Sequence, residues 1–333
     1  MDVVAFTREL IDIESITGNE GRVGTYLQEQ LRHLGYNAEK MAVEGERCNI
    51  FATVPGSSCP QIVFSTHMDT VPPFIRSSED AGRIYGRGSC DAKGIIASQI
   101  AAAERLRKEN IHVGLLFLVG EEKDSQGAKV ANQQPRGSKF LINGEPTENK
   151  IALASKGSLR VEVVARGKMA HSAYPELGES AIEKLLDALH RLRALKLPDN
   201  PDVGATTVNI GMIEGGRAPN VIPDHARAQL LYRLVGDAAE LRRQIVEAVG
   251  PIAEVNFTLE IPFLRLRSFA DLPTMVAAFT TDIPALTHWG EPLLLGPGSI
   301  HVAHTDREYI EKNELLAAVE LYAAIARRLS GAA

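Results

Sequence analysis

The sequence predicts an α/β protein: a mostly parallel-sheet catalytic domain flanked by helices, with an inserted ferredoxin-like α+β lid domain. Three observations predict this fold class. Apolar, strand-like runs alternate with helical segments up to about Ser155. Beyond Lys156 the pattern changes to half-exposed strands and two helices in the order β-α-β-β-α-β. After Ser268 the chain returns to the first pattern and ends on a predicted helix, Glu311–Arg328.

The first part of the chain begins its pattern with a helix. Thr17-Gly18-Asn19-Glu20 is typical of a capping box, with Thr17 at N-cap and Glu20 at N3, and apolar residues at helical spacing follow until Gly35. Continuous apolar strands that alternate with helices favour a parallel sheet covered on both faces. The predicted segments are strands Asn49–Val54, Gln61–Ser65, Val113–Val119 and Phe140–Asn143, and helix Ala92–Lys108.

The inserted part is predicted from alternating strands around two amphipathic helices. Residues 1–156 and 265–333 would form the catalytic domain, and residues 157–264 would form the lid. The predicted lid elements are strands Leu159–Arg166, Thr206–Ile213, Ala226–Leu234 and Glu254–Ile261, and helices Ser180–Leu192 and Ala238–Val249.

Composition and charge exclude several classes of function. The chain has 36 Lys+Arg against 42 Asp+Glu, a formal net charge of -6, so no basic excess indicates a nucleic-acid partner. No apolar stretch approaches the ~18 residues of a membrane span. No secretory signal is visible, and three cysteines without framework spacing are typical of a reducing compartment, so we expect a cytoplasmic protein without a membrane partner.

Several metal-binding residue types follow predicted strands. His67 and Glu145 end or follow strands, and the doublet Glu121-Glu122 follows another. Ligands of parallel sheets gather beyond the carboxyl ends of the strands, and imidazole and carboxylate groups are ligands of Zn²⁺. With Asp91 and a later histidine, the set could hold two ions and leave one carboxylate free as a base.

Residue patterns alone leave some alternatives open. Asp91 could cap a helix after a Gly-rich turn instead of bridging two cations. Glu148 competes with Glu145, and His301 competes with His304, because each pair lies in one short segment. Asp69 could hydrogen-bond the distal nitrogen of a ligand histidine and fix its tautomer.

Five stretches in combination resemble a known family. They are H-M-D-T-V-P at His67, G-R-G-S-C-D-A-K-G at Asp91, G-E-E at Glu121, G-E-P-T at Glu145 and A-H-T-D-R-E-Y-I at His304. The family is the dizinc amidohydrolases and peptidases that include acetylornithine deacetylase, succinyl-diaminopimelate desuccinylase and glutamate carboxypeptidase. The resemblance extends over nearly the whole chain.

The resemblance implies a role for each of these residues. It selects His304 over His301, makes Glu121 the general base and Asp69 the partner of a ligand histidine, and implies a cis peptide bond from Asp91 to Ala92. Two Zn²⁺ ions are implied, and Co²⁺ or Mn²⁺ would suit the same ligands. One ion would take His67, Asp91 and Glu145, and the other would take Asp91, Glu122 and His304.

The inserted segment resembles the same family. A-H-S-A-Y-P carries His171, which the resemblance makes a stabiliser of the oxyanion in the active site of a partner subunit. Asn220 in N-V-I-P and Arg233 in L-Y-R resemble substrate-contacting positions, and the fork of Arg233 would bind a substrate carboxylate. A homodimer formed through the lid is therefore expected.

The expected activity is hydrolysis of the amide bond of an N-acyl amino acid or short peptide. Acetylornithine deacetylase is placed first, because the motifs resemble that enzyme's family. A dipeptidase, a desuccinylase-like enzyme and a hydrolase of carrier-protein-bound lysine or ornithine are the enzymatic alternatives, together with a dinuclear phosphatase. A binding protein on an inactive hydrolase fold is the alternative from another class, although the base and all five ligands are present.

Overall fold

The structure is a computed structural model that describes residues 1–331, so the last two residues of the predicted segment 265–333 lie outside the described residues. The chain forms two compact units. Unit 1 comprises residues 1–153, 266–275 and those from 281 onward. Unit 2 comprises residues 154–265 and 276–280. The compactness of a unit does not show its function. The assignment of residues 1–156 and 265–333 to the catalytic domain and of residues 157–264 to the lid therefore stays a prediction.

The helices and strands are as follows. The helices are α1 (Val3–Ile11), α2 (Gly21–His33), α3 (Lys93–Lys108), α4 (Gln126–Asn132), α5 (Ala181–Arg193), α6 (Ala238–Val249) and α7 (Lys312–Ser330). The strands are β1 (Asn37–Glu44), β2 (Arg47–Thr53), β3 (Ile62–His67), β4 (Ser78–Glu79), β5 (Arg83–Tyr85), β6 (Gly114–Leu118), β7 (Phe140–Asn143), β8 (Ile151–Ser155), β9 (Gly157–Arg166), β10 (Ala170–His171), β11 (Asp199–Asn200), β12 (Gly204–Ala205), β13 (Thr207–Gly215), β14 (Val221–Ile222), β15 (His225–Leu234), β16 (Glu254–Ile261), β17 (Leu264–Arg265), β18 (Thr274–Ala277), β19 (Glu291–Leu294) and β20 (Tyr309–Glu311).

The main sheet of unit 1 has six strands in the order β1-β2-β6-β3-β7-β19. Strands β6, β3, β7 and β19 run parallel, whereas the hairpin β1-β2 is antiparallel and β2 pairs antiparallel with β6. Every position of the two central strands β3 and β6 is buried, as parallel strands covered on both faces require. The predicted mostly parallel α/β sheet is confirmed.

Helices cover both faces of this sheet. On one face, Phe64 and Phe117 pack into a core built with α1, α2, α3 and α7. On the other face, Val63 and Leu116 pack with α4 and with the fully buried Trp289. Successive residues of a strand point to opposite faces, so each central strand contributes to both cores. The parallel strands are thereby fixed, and their carboxyl ends meet at one edge.

The predicted capping box is wrong. Helix α2 begins at Gly21 and has Glu20 at its N-cap, without a side-chain capping bond. The Thr17 hydroxyl instead donates to the Asp69 carboxylate at 2.8 Å. Glu20 accepts from the backbone N–H of Gly18 at 3.1 Å and forms an ion pair with Arg47 at 2.7 Å. Buried tertiary partners therefore take both side chains that a local cap would have used.

Unit 2 contains an antiparallel sheet in the order β13-β15-β9-β16. With α5 after β9 and α6 after β15, this is the predicted ferredoxin-like arrangement, and it is confirmed. Strand β15 alternates strictly, and its buried side chains pack with Leu189 of α5 and Leu241 of α6. Strand β13 is an edge strand, and most of its residues are exposed.

A search of the helices within residues 1–331 finds none with both the length and the apolar character needed to cross a membrane.

Candidate metal centre

Three predicted ligands lie at the carboxyl edge of the parallel sheet in unit 1. His67 is the last residue of β3 and is 1% exposed. Glu122 follows β6 after a short turn, and Glu145 follows β7 after Gly144. Because these strands are parallel neighbours, their ends place the three side chains on one side of the sheet.

Asp91 lies between the two predicted histidine ligands. Its Oδ1 is 3.0 Å from Nε2 of His67, and its Oδ2 is 3.3 Å from Nε2 of His304. The peptide bond from Asp91 to Ala92 is cis, which confirms the prediction. One carboxylate oxygen therefore faces each histidine, which is the geometry that a ligand shared by two cations needs.

Each histidine also faces a glutamate. Nε2 of His304 is 2.9 Å from Oε1 of Glu122, and Nε2 of His67 is 4.0 Å from Oε2 of Glu145. Nitrogen and oxygen atoms of His67, Asp91 and Glu122 lie within 4.8 Å of one another, as ligands of an ion do. His301 and His304 are both exposed, but it is the ring of His304 that reaches Asp91 and Glu122. The side chain of Glu148, the rival of Glu145, pairs with Lys150 at 2.8 Å.

The donor set fits a cation. Glu145 is 4% exposed, and its Oε1 is buried without a hydrogen-bond partner among the described residues. A buried carboxylate oxygen without a partner is costly unless a cation or a donor reaches it. Imidazole nitrogen and carboxylate oxygen are also the ligands that divalent zinc, cobalt and manganese accept.

The electrostatics of the site favour positive charge. Hydrogen bonds that His304 donates to the carboxylates of Asp91 and Glu122 raise its pKa to about 10. Burial lowers the pKa of His67, but hydrogen bonds with Asp69 and Asp91 and the charge of Glu145 raise it well above its ordinary value. Burial also raises the pKa of Glu145 well above the usual range, and the charge of Glu121 adds to the effect.

Asp69 does more than the sequence predicted. The nearest partner of Nδ1 of His67 is the main-chain oxygen of Asp69, at 3.0 Å, and the Asp69 carboxylate is 3.5 Å away. Donation from Nδ1 leaves Nε2 as the free lone pair that would bind metal. The carboxylate itself accepts from the backbone N–H groups of Gly120 at 3.0 Å, and of Glu121 and Glu122 at 3.2 Å each. Asp69 therefore holds the turn that presents Glu121 and Glu122.

Two buried acidic residues beside the centre were not singled out from the sequence. Glu308 is 1% exposed and accepts from the backbone N–H of Asp91 at 3.2 Å. Asp282 is also 1% exposed; burial raises its pKa to about 7, and its charge raises the pKa of Glu121. Glu308 lies within the motif A-H-T-D-R-E-Y-I, which was the available signal. Asp282 offered no comparable pattern.

The predicted substrate residues lie in unit 2. His171 of β10 pairs with β14 next to Asn220, whose carbonyl accepts from the Ser172 N–H at 3.0 Å. Nδ1 of His171 accepts from the Ala173 N–H at 3.1 Å, so a neutral ring carries its proton on Nε2. Arg233 of β15 has no ion-pair partner among the described residues, and burial lowers its pKa. The structure thus brings His171 and Asn220 together, whereas Arg233 stays without an ion-pair partner within residues 1–331.

Comparison with known proteins gives consistent matches. The family model of a peptidase dimerisation domain matches residues 153–255. A probable carboxypeptidase of Aspergillus flavus is 39% identical and is covered over 85% of its length by 96% of this chain. Among solved structures, the aminopeptidase PepT from Bacillus cereus has a TM-score of 0.84 at 25% identity, covering 98% of each chain. An M20 family metallo-carboxypeptidase from Sulfolobus solfataricus has a TM-score of 0.76 at 17% identity, covering 98% of this chain and 99% of that one.

Proposed function

This chain belongs to the M20 peptidase family and is a metallopeptidase, and we propose that it removes the C-terminal residue from short peptides with the help of two metal ions. The observation that carries the proposal is the position of Asp91, which presents one carboxylate oxygen to His67 and the other to His304. The Aspergillus relative is a probable carboxypeptidase, which supports cleavage at the carboxyl end. It favours the peptidase alternative over acetylornithine deacetylase.

The ligand set is proposed to hold two Zn²⁺ ions. His67, Asp91 and Glu145 would hold one ion, and Asp91, Glu122 and His304 would hold the other. When bound, such ions polarise the scissile carbonyl and make a water molecule more acidic. Two observations support this assignment of ligands to the two ions. Oε1 of Glu145 has no hydrogen-bond partner among the described residues, and the two carboxylate oxygens of Asp91 face different histidines.

Glu121 is proposed as the general base. It lies in the same turn as Glu122, and its N–H is held by Asp69. Burial, together with the charges of Asp282 and Glu122, raises its pKa well above 4.5, and a carboxylate with a raised pKa is a better proton acceptor near neutral pH. Glu121 would take a proton from the attacking water and deliver it to the leaving amine.

The residues of unit 2 are proposed to bind the substrate. Arg233 is half-buried and has no ion-pair partner among the described residues, and its guanidinium fork suits the two oxygens of a C-terminal carboxylate. His171 holds its proton on Nε2 in the neutral form, so that nitrogen can donate to a developing oxyanion. Asn220, next to His171, would contact the peptide backbone.

A homodimer formed through unit 2 is also proposed. The dimerisation-domain match covers most of this unit. Its edge strand β13 exposes Met212 (47%) and Ile213 (57%), and an exposed apolar edge is a template for pairing with a second copy. A cytoplasmic location stays a prediction from the sequence.

The direction of cleavage can be tested with capped peptides. The protein, loaded with Zn²⁺ or Co²⁺, is assayed with an N-blocked dipeptide that has a free carboxylate and with the same dipeptide bearing a free amine and a C-terminal amide. We expect hydrolysis of the first only. Hydrolysis of the second alone would identify an aminopeptidase, and a preference for acetylornithine over all peptides would restore the deacetylase.

The role of Glu121 can be tested separately. We expect Glu121→Ala to keep both metal ions and to lose turnover, because the proton acceptor is removed while the ligands remain. Metal content by mass spectrometry and kcat on the preferred peptide are the measurements. Turnover at the wild-type rate in this variant would refute the assignment.

A further inference from the structure

Glu308 forms a buried ion pair beneath the metal centre. Its Oε2 is 2.7 Å from Nη1 of Arg87, and both side chains are at most 1% exposed. Burying two opposite charges is unfavourable unless hydrogen bonds satisfy their remaining polar atoms. Here the remaining oxygen, Oε1, accepts from the backbone N–H groups of Gly88 at 3.0 Å and of Cys90 and Asp91 at 3.2 Å each.

These contacts bind the segment that presents Asp91, residues 86–91, called here the Asp91 loop. One of the three N–H groups belongs to Asp91 itself, so Glu308 fixes the main chain from which the shared carboxylate projects. The Glu308 carboxylate accepts hydrogen bonds from backbone N–H groups of the Asp91 loop, just as the Asp69 carboxylate accepts them from the turn of Glu121 and Glu122. Without it, the backbone of the loop would lose its main acceptor.

Glu308 also ends the segment that presents His304, residues 299–308, called here the His304 loop. The main-chain oxygen of Glu308 accepts from the N–H of Gly86 at 3.1 Å, so both its main chain and its side chain hold the Asp91 loop. Residues 304–307 are exposed, and His304 has a φ of 64°, a conformation that residues other than glycine rarely adopt. An exposed residue in a strained conformation keeps its place only if its surroundings are fixed.

The other ligands are held by different means. His67 and Glu145 follow buried strands of the sheet, and the N–H of Glu122 is held by Asp69. We infer that Glu308 is a positioning residue that sets the distance between Asp91 and His304, and thereby builds the half of the centre formed by Asp91, Glu122 and His304. This inference rests on the proposed dinuclear site.

The inference predicts unequal effects on the two metal ions. Replacing Glu308 should weaken the ion at His304 far more than the other ion. Both ions share Asp91, but the other ion takes its remaining ligands, His67 and Glu145, from strand ends that Glu308 does not hold. An ion pair with a purely structural role would instead lower stability without discriminating between the two ions. Metal affinity, measured ion by ion, separates these roles.

The test is a titration of metal-free protein with Co²⁺, followed by visible absorbance and by competition with a chelator. It compares wild type with Glu308→Gln and with the control Glu104→Gln. Glu104 is also a carboxylate paired with an arginine, Arg107 at 2.9 Å, but it lies toward the far end of α3. We expect Glu308→Gln to bind the first equivalent within about 3-fold of wild type and the second on the order of 10–100-fold more weakly. Glu104→Gln should match wild type for both.

A double variant, Arg87→Met with Glu308→Gln, addresses the charge that Glu308→Gln leaves buried. Because it removes both charges, it should fold even if the single variant does not, and it should still lose the second equivalent. Two wild-type equivalents in either folded Glu308 variant, or an equal loss in Glu104→Gln, would overturn the inference alone. A wild-type protein that binds fewer than two ions would overturn the proposed dinuclear site and the inference with it.

Discussion

Replacing Asp69 with Asn tests whether its carboxylate supports the turn that presents Glu121 and Glu122. The carboxylate accepts from Gly120 and Glu121 through Oδ1, and from Glu122 and the Thr17 hydroxyl through Oδ2. The asparagine amide has one oxygen only. We expect that oxygen to keep the two N–H groups at Oδ1, so the new NH₂ group faces the Glu122 N–H. The Thr17 hydroxyl can rotate and accept from the amide, but the Glu122 N–H is left without an acceptor.

One buried N–H without an acceptor costs about 1–3 kcal/mol. For a unit of this size, that loss lowers the melting temperature by about 3–10 °C. Displacement of Glu122 should also reduce metal affinity or kcat by about 10–100-fold. Thermal unfolding and a Co²⁺ titration are the measurements, with Thr17→Val as the control that removes only the hydroxyl and leaves the three N–H contacts. A variant with wild-type melting temperature and metal affinity would show that another group holds this turn.

Three further predictions follow from other parts of the molecule. Cys59 is exposed, whereas Cys48 and Cys90 are buried, and burial raises the pKa of both buried thiols. A thiol reagent should therefore modify one cysteine in the native protein and three after unfolding. Three fast reactions in the native protein would contradict the burial of Cys48 and Cys90. Met212→Glu in the exposed edge strand β13 should shift the protein from dimer to monomer in analytical ultracentrifugation without lowering its melting temperature. An unchanged dimer would show that this strand does not form the dimer interface. In Gly144→Ala, the added Cβ would lie 2.3 Å from Ile95 and 2.7 Å from Gln99. This variant should therefore lower the free energy of unfolding in urea by about 1–3 kcal/mol and weaken metal binding. Wild-type values of both would show that α3 can move aside.

The fold was largely predictable wherever one face of an element is apolar. Helix α6 and strands β7 and β16 have the predicted bounds. Helix α6 buries residues at helical spacing, and β7 is a continuous apolar run that is almost fully buried. Strand β1 was missed because it is the edge of its sheet and exposes most of its residues. Its sequence therefore carries little of the apolar pattern on which the prediction depended.

The proposed ligands could be named from the sequence, but the contacts that support them could not. His67 could be proposed from its position at the end of an apolar strand, whereas the choices of Glu145 over Glu148 and of His304 over His301 needed the family resemblance. The supporting contacts depend on residues that are distant in sequence: Glu308 reaches Gly88 across 220 positions, and Thr17 reaches Asp69 across 52. No local pattern records such a contact, so a local rule placed Thr17 and Glu20 in a capping box.

The discontinuity of unit 1 has a consequence for how the protein is made. Four of the proposed ligands, from His67 to Glu145, leave the ribosome before most of unit 2, while His304 follows it. At usual rates of synthesis, this delay is on the order of 10 s. During that interval the nascent chain offers three carboxylate ligands and one imidazole ligand, whereas the complete proposed centre has two imidazole ligands. Complete metal loading must therefore follow translation of the second histidine, and the partial set translated earlier is open to ions that prefer oxygen.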